Sequence, residues 1–229
     1  MTSMTGIYLA IAGLALVWAI QGAAWRVLVR KEVLSSVLGG IFVLGIAWNV
    51  KAVLPGMSAE ALVGLSFQFF GAALLVAMYG LRPAILMLAL VTVLVALLSG
   101  WTLEAALRQY LVLGLMPAFV AQGVNHLIQR FLPKHMFIFI LGRGYVAGVM
   151  SVIIPAIFLF TTHQAFSPKE LGLSNDIVDW VVTLVILSFT EGSLTGMVLA
   201  VFVVYKPHWV VCLNDTEYLQ GISEPRKMP

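Results

Sequence analysis

The chain has 229 residues, of which 61% are apolar and 10% charged, with a formal net charge of +3 and a mean hydropathy of +1.02. A soluble domain carries about 25% charged residues, so this composition excludes one. The basic residues sit at the ends of apolar stretches rather than in a run, which excludes a nucleic-acid-binding surface; the single cysteine, Cys212, excludes an intramolecular disulfide and a multi-cysteine metal cluster.

A helix that crosses the hydrocarbon core of a bilayer takes about 20 apolar residues. Apolar stretches bounded by charge, Pro or Gly predict spans at 5–26, 33–54, 61–80, 83–101, 106–128, 136–162 and 177–205. The expected fold is all-α: a polytopic helical membrane protein of about seven transmembrane helices, with one membrane domain over 1–206 and a short tail over 207–229. No Lys or Arg precedes Arg26, so the first apolar stretch lacks the charged start of a secretory signal and is expected to remain as a span.

Lys and Arg in short loops stay on the cytoplasmic side. Arg26, Arg30 and Lys31 follow the first predicted span, Arg82 the third, Arg130 and Lys134 the fifth, and Lys206, Arg226 and Lys227 the seventh. The opposite loops hold Glu60, Glu104, Glu170, Asp176 and Asp179, against Arg108, Lys169 and Lys51. The N-terminus is therefore expected outside and the C-terminus in the cytoplasm. The tail carries Trp209 near the membrane boundary, where an indole is favoured, and offers a contact surface for a cytoplasmic partner.

Gly144 and Gly148 in the sixth predicted span form a GxxxG pattern, as do Gly192 and Gly196 in the seventh. Small residues at this spacing let helix backbones approach closely in lipid, so both pairs are read as packing devices.

Ionisable groups at membrane depth are costly and need a partner or a task. Glu191 lies near the middle of the last span, in Phe189-Thr190-Glu191-Gly192-Ser193-Leu194-Thr195-Gly196-Met197, where small and hydroxylated residues interrupt an aliphatic helix. It is the strongest functional candidate, with two readings side by side: a ligand or proton carrier in a polar cavity, or a structural carboxyl bonded to a neighbouring helix. Arg143 lies about two turns into the sixth span, where snorkelling toward water or a structural ion pair with Glu191 is the simpler reading. Gln68 in the third span, with Asn49 and Lys51 near the outer end of the second, is expected to line an outward-facing polar pocket, although for Gln68 alone an interhelical hydrogen bond is the simpler reading. Gln122, Asn125 and His126 read as the cytoplasmic end of the fifth span. The four histidines do not fall into a metal-ligand spacing.

The sequence contains no Walker A motif, nucleotide-binding glycine fingerprint, nucleophile elbow or zinc-protease motif. The chain is not expected to be an enzyme, and transport driven by ATP would need another chain to hydrolyse it.

Three segments together resemble a family. They are Phe131-Leu132-Pro133-Lys134-His135-Met136-Phe137-Ile138-Phe139-Ile140, the Glu191–Met197 stretch, and Val204-Tyr205-Lys206-Pro207-His208-Trp209-Val210 followed by Asp215, Tyr218, Leu219 and Gly221. They resemble a divergent proteobacterial branch of the energy-coupling-factor (ECF) ABC transporter permeases, related to the CbiM/NikM-like cobalt- and nickel-capturing membrane subunits. The resemblance covers roughly residues 60–221. It implies a multi-pass subunit of the bacterial inner membrane that captures a small solute or metal ion and works with a coupling membrane protein and ATPase subunits.

In the metal-transporting relatives a Met-His start supplies nitrogen ligands, completed by a histidine near the third span. Here the chain starts Met1-Thr2-Ser3-Met4, and the nearest counterpart of the later ligand is Gln68. A carboxamide is a weak ligand where imidazole is a good one, so these departures count against a bound transition metal. Met1, Met4 and Met57 remain as soft thioether ligands, with ordinary membrane residues as the simpler reading. Two functions from different classes are carried forward: a solute-capturing transport subunit with Gln68, Asn49 and Glu191 in its pocket, and a non-transporting accessory or assembly subunit of a larger membrane protein complex.

Overall fold

The structure is a computed structural model that describes residues 3–23, 28–49, 71–133, 135–161 and 177–213. Among these residues the chain is helical and contains no strand. We label the helices α1 (Ser3–Gly22), α2 (Lys31–Ala47), α3 (Ala72–Tyr79), α4 (Leu81–Ser99), α5 (Leu103–Phe131), α6 (136–161) and α7 (Ile177–Tyr205); a 3-10 turn, Pro207–Trp209, follows.

Among the described residues, five stretches are long and apolar enough to cross a membrane: Thr5–Gly22, Leu81–Ser99, Leu103–Phe131, Met136–Phe158 and Leu184–Tyr205. The described parts of α2 and α3 are shorter, at 17 and 8 residues. The predicted spans 33–54 and 61–80 both run into 50–70, which lie outside the described residues.

The helices are apolar around most of their circumference, as expected where lipid replaces water on the outer face. Packing is therefore decided by side-chain size and by the few polar groups. On α1, Thr5, Ala12 and Ala19 are buried at seven-residue intervals, whereas Ile7, Leu14 and Val17 are exposed. This small-residue line lets α1 lie against α4 and the start of α5. Arg82 of α4 closes that contact at the C-terminal end of α1 by donating from Nη1 to the Gly22 carbonyl at 3.0 Å, with its guanidinium 4.7 Å from the centre of the Trp18 ring. A cation at a helix C-terminus complements the partial negative charge of its unpaired carbonyls. At the other end of α1, the Thr5 hydroxyl donates to Glu104 at 3.0 Å.

The short α3 occupies the middle of the bundle, against α4, α5, α6 and α7, with every residue buried except Leu74. Glycines with left-handed backbone flank it, Gly71 at φ +96° and Gly80 at φ +86°. At Gly71 a Cβ would also run into the Leu44 side chain, so both the backbone and the space call for glycine.

Two helices contain wide π-helical turns, Tyr110–Leu115 in α5 and Phe139–Val146 in α6. In α5 the turn precedes Pro117, which has no N–H to donate to the carbonyl four residues back; a widened turn is one way a spanning helix absorbs that loss. In α6 the turn buries Gly142, Arg143 and Gly144.

α6 and α7 pack most intimately. A Cβ on Gly144 would stand 2.7 Å from the Gly196 Cα, and one on Gly148 would stand 2.8 Å from the Gly192 Cα. The two GxxxG patterns thus face each other in antiparallel register, glycine against glycine.

Residues 207–213 are part of the bundle. Val210 is buried, and the Cys212 N–H donates to the Met78 carbonyl of α3 at 3.0 Å. The remainder of the expected tail, 214–229, lies outside the described residues.

Candidate functional site

Glu191 sits at the midpoint of α7 and is 1% exposed. The α6–α7 glycine contact draws the helix inward and delivers this side chain to the N-terminal end of α3. There its Oε1 accepts two hydrogen bonds, from the Gly71 N–H at 3.1 Å and from the Thr195 hydroxyl one turn along α7 at 3.2 Å. The first of these supplies an acceptor to an N–H at the start of α3, which has none within its own helix. Among the described residues Oε2 has no hydrogen-bond partner.

Beside this carboxyl lies a cleft of about 480 Å³ between α2, α3 and α7, with Trp209 at one end. Phe202 and Trp209 meet edge to face there, ring centres 5.3 Å apart. The lining is mostly aliphatic and aromatic. The Ser35 and Ser36 hydroxyls donate to the carbonyls of Glu32 and Val33 at 2.8 and 2.7 Å, and the Tyr79 hydroxyl donates to Ser36 Oγ at 2.7 Å. With the Thr195 hydroxyl given to Glu191, the cleft's hydroxyl protons are all committed to protein acceptors. Glu191 Oε2 is the buried oxygen on this wall left unmatched.

The cleft reaches the outside of the bundle. Its floor, with Gly71, Leu75, Met78 and Tyr79, is buried, whereas Val43 of α2 and Leu194 of α7 at its rim are 63% and 43% exposed.

Of the pocket residues expected from sequence, Glu191 lines the cleft. Asn49 instead joins the ends of two helices: its amide donates to the Gly45 carbonyl at 2.8 Å and its carbonyl accepts from the Ser99 hydroxyl of α4 at 2.8 Å. Gln68, Lys51, Met57 and His163 lie outside the described residues, as do Met1 and the side chain of Met4.

The expected ion pair between Arg143 and Glu191 is absent among the described residues. Arg143, 7% exposed, places its guanidinium 5.0 Å from the centre of the Phe139 ring and beside the Cys212 thiol, and its Nε lacks a hydrogen-bond partner among the described residues. The side chain is thus buried under the 207–213 segment rather than extended into water. The π-helical turn that carries it points it to the C-terminal segment, away from the carboxyl. Burial pushes the Cys212 thiol up from its ordinary value, and the neighbouring guanidinium opposes that rise. Gly192 and Gly196, the other residues expected to act structurally, do so as the α7 side of the glycine contact.

Asn125, read from sequence as part of the cytoplasmic end of the fifth span, lies in the last turns of α5 and is 2% exposed, with Oδ1 unpartnered among the described residues, whereas its neighbour His126 is exposed. Trp209 and the Tyr79–Ser36 pair were missed as site residues. The signal for the cleft was the run of small residues Ser35, Ser36, Gly39 and Gly40 within an aliphatic helix, where missing volume makes a groove. No group of three His, Cys, Asp or Glu side chains suited to a metal ion exists among the described residues.

Together these features define a multi-pass helical membrane protein with a buried acidic group on the wall of an apolar cleft. Compared with known protein families, curated proteins and solved structures, the chain matches none.

Proposed function

We propose that the chain is the solute-capturing membrane subunit of an ECF-type transporter, and that the cleft beside Glu191 is its binding pocket. The observation that carries this reading is a buried carboxyl in the wall of a cleft of about 480 Å³, with one oxygen unpartnered among the described residues. A buried polar group without a partner costs about 1–3 kcal/mol, and convergent polar groups in an apolar cavity are what small-molecule sites consist of. The charge distribution supports seven spans with the N-terminus outside and the C-terminus in the cytoplasm of a bacterial inner membrane. The C-terminal segment then lies on the side where a coupling membrane protein and ATPase subunits would dock, and Trp209 connects it to the pocket wall.

Purification in mild detergent with identification of co-purifying chains, together with elemental analysis, tests the proposal. Co-purification of ATPase subunits is expected. Isolation in a multi-subunit membrane complex without ATPases would overturn transport in favour of the accessory reading, which is supported by the lack of a metal-ligand cluster among the described residues. Stoichiometric cobalt, nickel or copper would make the solute a metal ion.

A further inference from the structure

Resting on that reading, we infer that the pocket takes a lipophilic primary amine, and that it enters sideways from the bilayer between α2 and α7. The head of the ligand follows from Glu191. Its Oε1 is held by Gly71 and Thr195, and Oε2, buried in the wall of the cleft, has no hydrogen-bond partner among the described residues, so Oε2 is the oxygen left for an occupant to engage. An amine is matched to that atom in either protonation state: a carboxyl and a neutral amine, or a carboxylate and an ammonium, differ only in which partner holds one shared proton. In both cases a single N–H···O or O–H···N bond satisfies the buried oxygen, strengthened where charge develops.

The body of the ligand follows from the remaining wall. The cleft's serine, tyrosine and threonine hydroxyl protons are already donated within the protein, and Leu75, Met78, Val198 and Phe202 supply the rest of the contact. A sugar or nucleotide would leave many of its own polar groups unmatched here. A bare metal ion would find one free carboxyl oxygen, where magnesium, calcium or a transition metal needs several donors.

The route follows from the rim. Val43 and Leu194 are the exposed edge of the cleft, and each stands in a row of exposed apolar residues, Leu38 and Phe42 on α2 and Met197 and Val201 on α7. Glu191 is 14 residues from the end of α7 at Tyr205, about 21 Å along the axis at 1.5 Å per residue, which places the opening at the depth of acyl chains rather than of water.

The test is equilibrium binding of n-octylamine and 1-methoxyoctane to the full chain in lipid nanodiscs, with lipid partitioning subtracted using empty nanodiscs. Octylamine is expected to bind at one per chain and at least about tenfold more tightly than the ether. Glu191→Gln keeps the side-chain shape and is expected to reduce that preference to about twofold or less. Val43→Trp, at the exposed rim, leaves the carboxyl in place and is expected to slow the entry of both probes at least about tenfold. Equal binding of the two probes to the natural chain, or an undiminished preference in Glu191→Gln, would overturn the ligand class, and unchanged entry in Val43→Trp would overturn the lateral route. Amine binding to a chain that co-purifies without ATPases would leave the site standing and remove transport, whereas ATPases without amine preference would do the reverse.

Discussion

The backbone N–H of Gly71 donates to Oε1 of Glu191 at 3.1 Å, joining positions 120 residues apart. The bond gives the carboxyl a structural task at one oxygen and leaves the other free, so the structural and binding readings of Glu191 belong to different atoms of one side chain. Glu191→Ala would strand the Gly71 N–H in a dry interior at a cost of about 1–3 kcal/mol. Glu191→Gln keeps an acceptor for Gly71 and Thr195. Thermal unfolding in detergent is expected to show a clear fall in Tm for the alanine variant and a small one for the glutamine variant.

The glycine contact between α6 and α7 predicts effects of opposite sign. Gly144→Ala and Gly148→Ala place a Cβ against helix backbone, which cannot rotate away, and are expected to cost about 1–3 kcal/mol each. Gly123→Ala in α5 meets nothing within 4 Å and is expected to be neutral or to stabilise by up to about 1 kcal/mol. Melting curves of the three variants check the ordering.

Tyr79 and Ser36 tie α3 to α2 across the cleft through a buried hydrogen bond of 2.7 Å. A double-mutant cycle with Tyr79→Phe and Ser36→Ala is expected to return a coupling of about 0.5–1.5 kcal/mol from unfolding free energies. Additive effects would mean that the two helices are held by packing alone.

Cys212 is partly buried under the bundle, and burial raises its thiol pKa while Arg143 opposes the rise. The reactive species is the thiolate, so alkylation near pH 8 is expected to be slower in the folded protein than in denaturant, and to accelerate as pH rises beyond the ordinary thiol range. Arg143→Met keeps bulk but removes the opposing charge, and is expected to slow alkylation further at fixed pH. Because its folded pKa is raised, the neutral thiol stabilises the fold below the unfolded pKa, and this contribution is lost as pH climbs through the folded value.

The helical character, the positions of the long spans and the placing of Glu191 inside the last of them were legible because each depends on local composition. Twenty apolar residues meet the thickness of a bilayer wherever they occur, and a lone carboxyl inside such a stretch is costly whatever surrounds it. The predicted spans 83–101, 136–162 and 177–205 accordingly differ from α4, α6 and α7 by two residues or fewer at each end. The GxxxG patterns were legible as packing devices, though which glycines would meet was not.

Partnership was decided by the tertiary structure. Arg143 and Glu191 looked like a pair because both are charges in lipid, but a π-helical turn aims one at Cys212 while the glycine contact hands the other to Gly71. Asn49 looked like a pocket residue because it is polar near a helix end, yet the neighbouring end of α4 presents Ser99 to it. Composition and periodicity report what each segment pays to enter a membrane; whether a polar atom is then satisfied depends on the rotation and approach of helices distant in sequence, which is set by side-chain volume at the contacts and exists only once the bundle has packed.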